Sequence, residues 1–247
     1  MTGSRPRVPH NRAMSASAHD DAVDPGPEAF RALLHEQRVW DPRRTTLPAL
    51  DPALIPGRPV PLLRRWFAEA ADAGAAEPHA VSLATAGADG FPDVRIVVLH
   101  DADEDTGFSF ATHAGSHKGR QLAERPYAAL CFYWPVLGRQ IRVRGAVAPA
   151  PHHAALADLH AHSPGALAAA LTAHQSEALD SLATLRTAAD AAWARAQREP
   201  DADAPDWTLY HLDPEEMEFF QGDQARRHVR VRYERVADGW RHELLWP

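Results

Sequence analysis

Cysteine is nearly absent from this chain: Cys131 is the only one in 247 residues. A lone thiol cannot close an intrachain disulfide, and paired-cysteine metal sites go with it. Cys131 lies in an apolar, strand-like run, where packing is its expected role and a reducing cytoplasm its expected setting. Long apolar runs are missing too. None approaches the roughly 18 residues of a membrane span, and Met1 to Asp24 has no apolar segment of the signal-peptide kind. Positive charge is scarce, with 26 Lys and Arg against 33 Asp and Glu. The resulting formal charge of −7 argues against a nucleic-acid partner. Fifteen histidines are present but scattered, without His-Glu-x-x-His spacing. The nearest pair is His160-Ala161-His162, and no metal site is expected. Neither internal repeats nor βαβ alternation occurs, which disfavours a dinucleotide-binding fold.

What is present divides the chain into three stretches. Residues 1–25 are rich in Pro, Ser, Ala and Asp without periodicity and are expected to be disordered. Residues 26–60 read as an extension with a short helix at Glu28–Gln37 and a Pro-rich crossing from Asp41 to Pro61. Residues 61–247 read as one domain. An amphipathic helix over Leu62–Ala73 opens it, stopped by Gly74. Strands are expected at His79–Ala86, Asp93–His100, Phe108–Thr112, Tyr127–Trp134 and Gln140–Pro149. In the last of these, Ile141 and Val143 alternate with Gln140, Arg142 and Arg144, one buried face and one polar. A helical insertion follows at about 151–197, interrupted by Pro164-Gly165. Four further strands are expected at Trp207–Leu212, Glu216–Phe220, Val229–Arg235 and Trp240–Trp246. The class is α+β, with a mostly antiparallel sheet closing into a barrel and helices around it.

The chemistry concentrates at Phe110-Ala111-Thr112-His113-Ala114-Gly115-Ser116-His117-Lys118-Gly119-Arg120-Gln121. A strand runs through a glycine turn into a helix that opens with Ser, His, Lys and Arg. A helix start presents unpaired N–H groups and the positive end of the macrodipole, so it favours an anion. Ser116 fits a phosphate cradle and equally a plain N-cap.

Four motifs in order extend this stretch: Arg95-Ile96-Val97-Val98-Leu99; Thr112 with Gly115-Ser116-His117-Lys118; Arg139-Gln140-Ile141; and Glu218-Phe219-Phe220-Gln221-Gly222 with Arg226, His228 and Arg230. Together they resemble the pyridoxamine 5′-phosphate oxidase family of FMN-binding split barrels, from about Pro61 to Pro247. The string from Thr112 to Arg120 is similar to that of the phenazine-biosynthesis branch. The resemblance implies a homodimer with FMN in clefts at the subunit interface and O2 as electron acceptor. It places Arg95, Ile96, Val97, Val98, Ala111, Thr112, Ser116, His117 and Lys118 around the cofactor, its phosphate above all. Gln140 and Arg230 go to the carbonyl-rich edge of the ring system, and Gln175 and Ser176 also reach FMN. Phe220 stands where the family usually has Trp, keeping an aromatic wall without the indole N–H. A phosphate dianion wants such basic and hydroxyl donors, and a reduced flavin is stabilised by donors at that edge.

On the substrate side the resemblance implies Arg226 and His228 as catalytic groups near the flavin. The vitamin B6 enzymes hold their substrate phosphate with Lys, Tyr, Arg and Ser. Here those positions fall on His100, Asp158, His162 and Ala166, which leaves the cofactor site kept and the phosphate site eroded. An aromatic or heterocyclic, carboxylated substrate of the dihydrophenazine type is therefore expected. A pyridoxine/pyridoxamine 5′-phosphate oxidase using His100 and His162 as phosphate ligands is the alternative. A non-catalytic split barrel holding flavin, haem or a deazaflavin is the third reading, disfavoured by the retained Arg226 and His228.

Overall fold

The computed structural model describes residues 24–41 and 45–247. The tail expected over residues 1–25 falls, as far as residue 23, outside them. The chain divides into two units between Val39 and Trp40. The described part of the first holds helix α1 (Gly26–Glu36), which has a proline in its first turn and no buried residue.

The second unit, Trp40–Pro247, is built on eight strands: β1 (Ala80–Ala86), β2 (Pro92–Asp103), β3 (Gly107–His113), β4 (Tyr127–Trp134), β5 (Arg139–Pro149), β6 (Trp207–Gln221), β7 (Val229–Val236) and β8 (Gly239–Leu245). They pair antiparallel in the order β3-β2-β1-β4-β5-β6-β7-β8, and β3 also pairs with β6. That last ladder closes six strands into a barrel, with β7 and β8 extending the sheet beyond it. Alternating side chains fill the inside, among them Val81, Leu83, Phe108, Phe110, Leu130, Phe132, Ile141 and Val143, all fully buried. Helix α2 (Pro59–Asp72) buries Leu62, Leu63, Trp66 and Ala70 against the barrel. Trp66 meets Phe219 edge-on at 5.4 Å. The buried Arg139 lays its guanidinium over the Trp66 ring at 4.4 Å and pairs with Glu69 of α2 at 2.5 Å. Helices α3 (His117–Glu124), α4 (His152–Ala161), α5 (Pro164–Thr172) and α6 (Leu182–Arg198) complete the unit.

Three local expectations are sharpened. The two strands expected at Trp207–Leu212 and Glu216–Phe220 are one strand of 15 residues, β6. Its register against β5 slips where Arg144 faces Glu216 but Gly145 faces Pro214, leaving Glu215 as an extra residue. The bulge switches the phase of the strand: Tyr210 and Leu212 point inward before it, Met217 and Phe219 after it. The interruption expected at Pro164-Gly165 falls at residues 162–163, between α4 and α5, and Pro164 itself starts α5 behind a Ser163 cap. A second break, with no such marker, lies at residues 173–181, where Ala173, His174 and Ser176 have φ of 52°, 56° and 75°. Third, β2 runs on to Asp103 through an irregularity between Leu99 and Asp101.

A Cβ at Gly145 would stand 1.8 Å from the Asp213 carbonyl oxygen, so the bulge requires glycine there. Gly145→Ala should therefore destabilise the protein by about 1–3 kcal/mol, the usual cost of overpacking. Urea unfolding followed by tryptophan fluorescence measures it, and an unchanged midpoint would contradict the bulge packing.

Candidate functional site

Strand ends and helix starts gather the candidate residues into three groups. The first lies where β3 runs into α3. Ser116 is fully buried; its Oγ accepts from the Gly119 N–H at 3.2 Å and donates to the His113 carbonyl at 2.7 Å. Its hydroxyl is thus spent on the N-cap, and its part is to fix the helix start. Gly119 is obligatory in that turn, since a Cβ would stand 2.2 Å from the Ala114 carbonyl oxygen. From β2, Arg95 donates to Thr85 Oγ1 at 2.5 Å, to Gln121 Oε1 at 3.2 Å and to Asp93 at 2.6 Å. Lys118 donates to Gln175 Oε1 at 2.7 Å, and Thr112 Oγ1 donates to the same oxygen at 3.1 Å. The His117 backbone N–H donates to Ser176 Oγ at 3.1 Å. Residues from four separate stretches of sequence thus meet at one helix start, and the left-handed backbone at 173–176 carries Gln175 and Ser176 to it.

The electrostatics there are unbalanced. Among the described residues Lys118 makes no ion pair, and its hydrogen-bond partner is a neutral amide. Burial and the neighbouring Arg95 charge pull its ammonium below the ordinary lysine value, against the opposing pull of Asp93. Two cations held close together in partial burial call for an anion, and a phosphate dianion fits that need. Of the other expected residues here, Val97 points into the core, Ile96 and Val98 face outward and exposed, and Ala111 is half-buried.

The second group spans β5, β6 and β7. Gln140 faces Phe220, and Phe220 faces Arg230, in one row across three strands. The β6 bulge turns Phe220 away from the core. Arg230 is held by the buried Glu218, with Nε at 2.9 Å and Nη2 at 2.8 Å, and by the Trp246 carbonyl at 2.9 Å. Two of its five N–H groups stay uncommitted by these bonds. His228 lies against Phe220, ring centroids 5.1 Å apart. Its Nδ1 accepts from the Asp223 backbone N–H at 3.0 Å, so the neutral ring carries its proton on Nε2 and presents a donor there. Arg226 is exposed in the turn before it, with φ of 66° and no ion pair among the described residues. No hydrogen bond or ring contact among the described residues joins this group to the first.

The third group unites β2 with α4. His100 Nδ1 lies 2.9 and 3.0 Å from the two carboxylate oxygens of Asp158. The His162 ring stacks on His100 at 4.5 Å, and His162 Nδ1 donates to the Asp158 carbonyl at 2.7 Å. Ala166 lies on α5.

Sequence reasoning missed several participants. Glu218 was read only as part of a motif, yet its carboxylate anchors both Arg230 and Arg142. Thr85 and Gln121 carry the hydrogen-bond chain behind Arg95, with Thr85 Oγ1 donating to Gln121 Oε1 at 2.5 Å. Trp40, just before the Pro-rich crossing, forms an aromatic wall with Phe220 at 6.2 Å and His228 at 5.7 Å. A large aromatic at the edge of a proline-rich segment was the available signal. His113 is buried with its Nδ1 unpartnered among the described residues, and it lines a cavity of about 710 Å³ with Thr172, Gln175, Leu185 and Trp193.

Comparison with known proteins places these groups in context. Residues 67–221 match the family model described as pyridoxamine 5′-phosphate oxidase, and residues 207–247 match the pyridoxine 5′-phosphate oxidase C-terminal dimerisation region. A pyridoxine/pyridoxamine 5′-phosphate oxidase of Salinibacter ruber is 41% identical over 76% of this chain and 89% of its own. The enzyme of that name from Ralstonia pickettii is 40% identical over 81% and 93%. Among solved structures, PhzG from Burkholderia lata 383, in complex with tetrahydrophenazine-1-carboxylic acid, is similar with a TM-score of 0.74. It is 34% identical, with 81% of this chain and 99% of that one covered.

Two outcomes follow from this geometry. Arg95→Leu should weaken FMN binding about 10- to 100-fold, the loss of a charged hydrogen bond. Riboflavin, which has no phosphate, should bind as before; fluorescence titration of the apoprotein compares the two. Burial pushes the His113 imidazole below its ordinary value, against the pull of Asp206. The unfolded chain then binds the extra proton first, so stability is lost as pH falls below about 6.5. Thermal unfolding between pH 8 and 5 should show a shallower loss for His113→Gln than for the parent.

Proposed function

The chain belongs to the pyridoxamine 5′-phosphate oxidase family, and from that premise we propose that its substrate is a reduced, carboxylated heteroaromatic of the dihydrophenazine-carboxylate type. It is a flavin-dependent oxidoreductase with FMN as cofactor. When bound, FMN supplies the hydride acceptor, and O2 takes the electrons onward as hydrogen peroxide.

The chain's own residues have distinct tasks in this reading. Arg95 and Lys118 hold the cofactor phosphate, with Thr112, Gln175 and Ser176 closing around it. Gln140 and Arg230, side by side with Phe220, aim donors at the flavin edge, and Glu218 fixes the Arg230 fork so that orienting it costs little at the moment of reaction. Arg226, free of any ion pair among the described residues, takes the substrate carboxylate. His228, whose Nδ1 is occupied, acts through its Nε2–H as a hydrogen-bond donor that orients and polarises the substrate rather than as the proton acceptor. Trp40 and Phe220 supply a flat apolar wall against which an aromatic ring stacks. No hydrogen bond or ring contact among the described residues joins the two groups of cofactor residues within one chain, and a second copy in a homodimer, in line with the matched dimerisation region, brings them to one cleft.

The observation that carries the substrate class is the His100–Asp158–His162 group. Where the B6 enzymes are expected to bind substrate phosphate, this chain places a carboxylate already bonded to an imidazole. A phosphate dianion facing Asp158 without an arginine fork is repelled. The complex of PhzG with tetrahydrophenazine-1-carboxylic acid supports the same class of substrate. The second reading, a pyridoxine/pyridoxamine 5′-phosphate oxidase, is favoured by the names of relatives up to 41% identical.

Anaerobic bleaching of the flavin near about 450 nm separates the two, since only a true substrate reduces the bound cofactor. Dihydrophenazine-1-carboxylate should bleach it rapidly and saturably, and pyridoxine 5′-phosphate should not. Fast bleaching by micromolar pyridoxine 5′-phosphate would establish the second reading instead.

A further inference from the structure

We propose that His100, Asp158 and His162 form a binding site for a divalent transition-metal ion, with two imidazoles and one carboxylate as ligands. One ligand atom from each of the three lies within 4.8 Å of the others. The local fold explains the convergence. His100 sits at the irregularity of β2 between Leu99 and Asp101, while Asp158 and His162 are four residues apart at the end of α4 and therefore on one face. His160, between them, is turned away, its Nε2 at 3.2 Å from the Ala202 carbonyl. No metal site was expected from His160 and His162, the nearest pair in the sequence; that pair is split, and His162 joins a histidine 62 positions earlier in the chain.

Hydrogen bonding prepares the ligands. A backbone carbonyl can only accept, so the His162 Nδ1 bonded to the Asp158 carbonyl at 2.7 Å carries a proton, and the lone pair of the neutral ring sits on Nε2. That bond is the kind that orients a ligating histidine and makes it more basic. His100 and the Asp158 carboxylate, already 2.9 Å apart, come together on the ion as their hydrogen bond is exchanged for two metal bonds, the neutral His100 ring then carrying its proton on Nε2. The Asp158 and His100 side chains are mostly buried, and His162 is exposed, which leaves a path for entry. Imidazole nitrogen with one carboxylate suits zinc, copper, nickel, cobalt or ferrous iron. Calcium and magnesium want oxygen ligands throughout. Three protein ligands leave open positions for water. The Asp158 carboxylate that repels a phosphate dianion in the metal-free protein is the anionic ligand here.

The test uses untagged, flavin-loaded protein stripped with chelator. Titration calorimetry with Zn2+ should show one saturable site per chain, tighter than scattered surface binding. Asp158→Asn and His162→Gln should each weaken that site at least about 10-fold, the lower end of the loss when a supporting group of a metal centre is removed. His174→Gln, an exposed histidine paired with Glu177, should leave the site intact. Electron paramagnetic resonance of the Cu2+-loaded parent should show coupling to two nitrogens, a result that depends on no variant. Absence of a stoichiometric site, binding indifferent to both substitutions, or a copper spectrum with no nitrogen coupling would each overturn the proposal.

Discussion

The structure depends on one strand, β6, paired along its length with β5 and at different points with β3 and β7. Its first half closes the barrel against β3 and so fixes the strand whose end enters the α3 turn, with Thr112 opposite Thr208. Its second half carries Glu218 and Phe220 and aligns Gln140 and Arg230 on either side. The bulge at Glu215 lets one strand serve both purposes. Without the extra residue the inward phase of Leu212 would continue, and Phe220 would point into the core.

Around this frame the polar groups follow a consistent electrostatic logic. Most cations along the frame are given carboxylates: Arg230 has Glu218, Arg139 has Glu69 and Arg95 has Asp93. Lys118 is not, and its charge is kept near that of Arg95 in a partly dry place. That arrangement is what the proposed phosphate-binding role of Lys118 requires, since groups at binding sites are commonly held in such perturbed surroundings. Arg226 likewise stands unpaired among the described residues, in a strained turn.

Much of this was legible in the sequence where the signal is local. Alternation along β5 located the inward Ile141 and Val143, and amphipathic spacing located α2 with Trp66 inside. The helix start at Ser116 was legible as well, because the cap, the glycine and the basic residues lie within five positions. What was hidden depends on long-range register. A bulge has no residue type of its own, so β6 read as two strands. The 173–181 break has no proline or glycine, and its left-handed residues are Ala, His and Ser, which gave no warning. Glu218 carried no reading beyond its motif, because its role depends on β7 placing Arg230 beside it. The grouping of His100 with Asp158 and His162 came from the family resemblance, and local pattern alone would have left the three as scattered polar residues.

The barrel's closing ladder also sets an order for synthesis. Ser109 and His211 meet across it, with a hydrogen bond of 2.8 Å between partners 102 residues apart. On a chain made from its N-terminus, β1 to β5 can pair while β3 still presents an open edge, and that edge waits for the whole helical region to be translated. An unpaired strand flanked by Phe108 and Phe110 is a template for other chains. The helices between β5 and β6 therefore set how long that edge stays open on a growing chain.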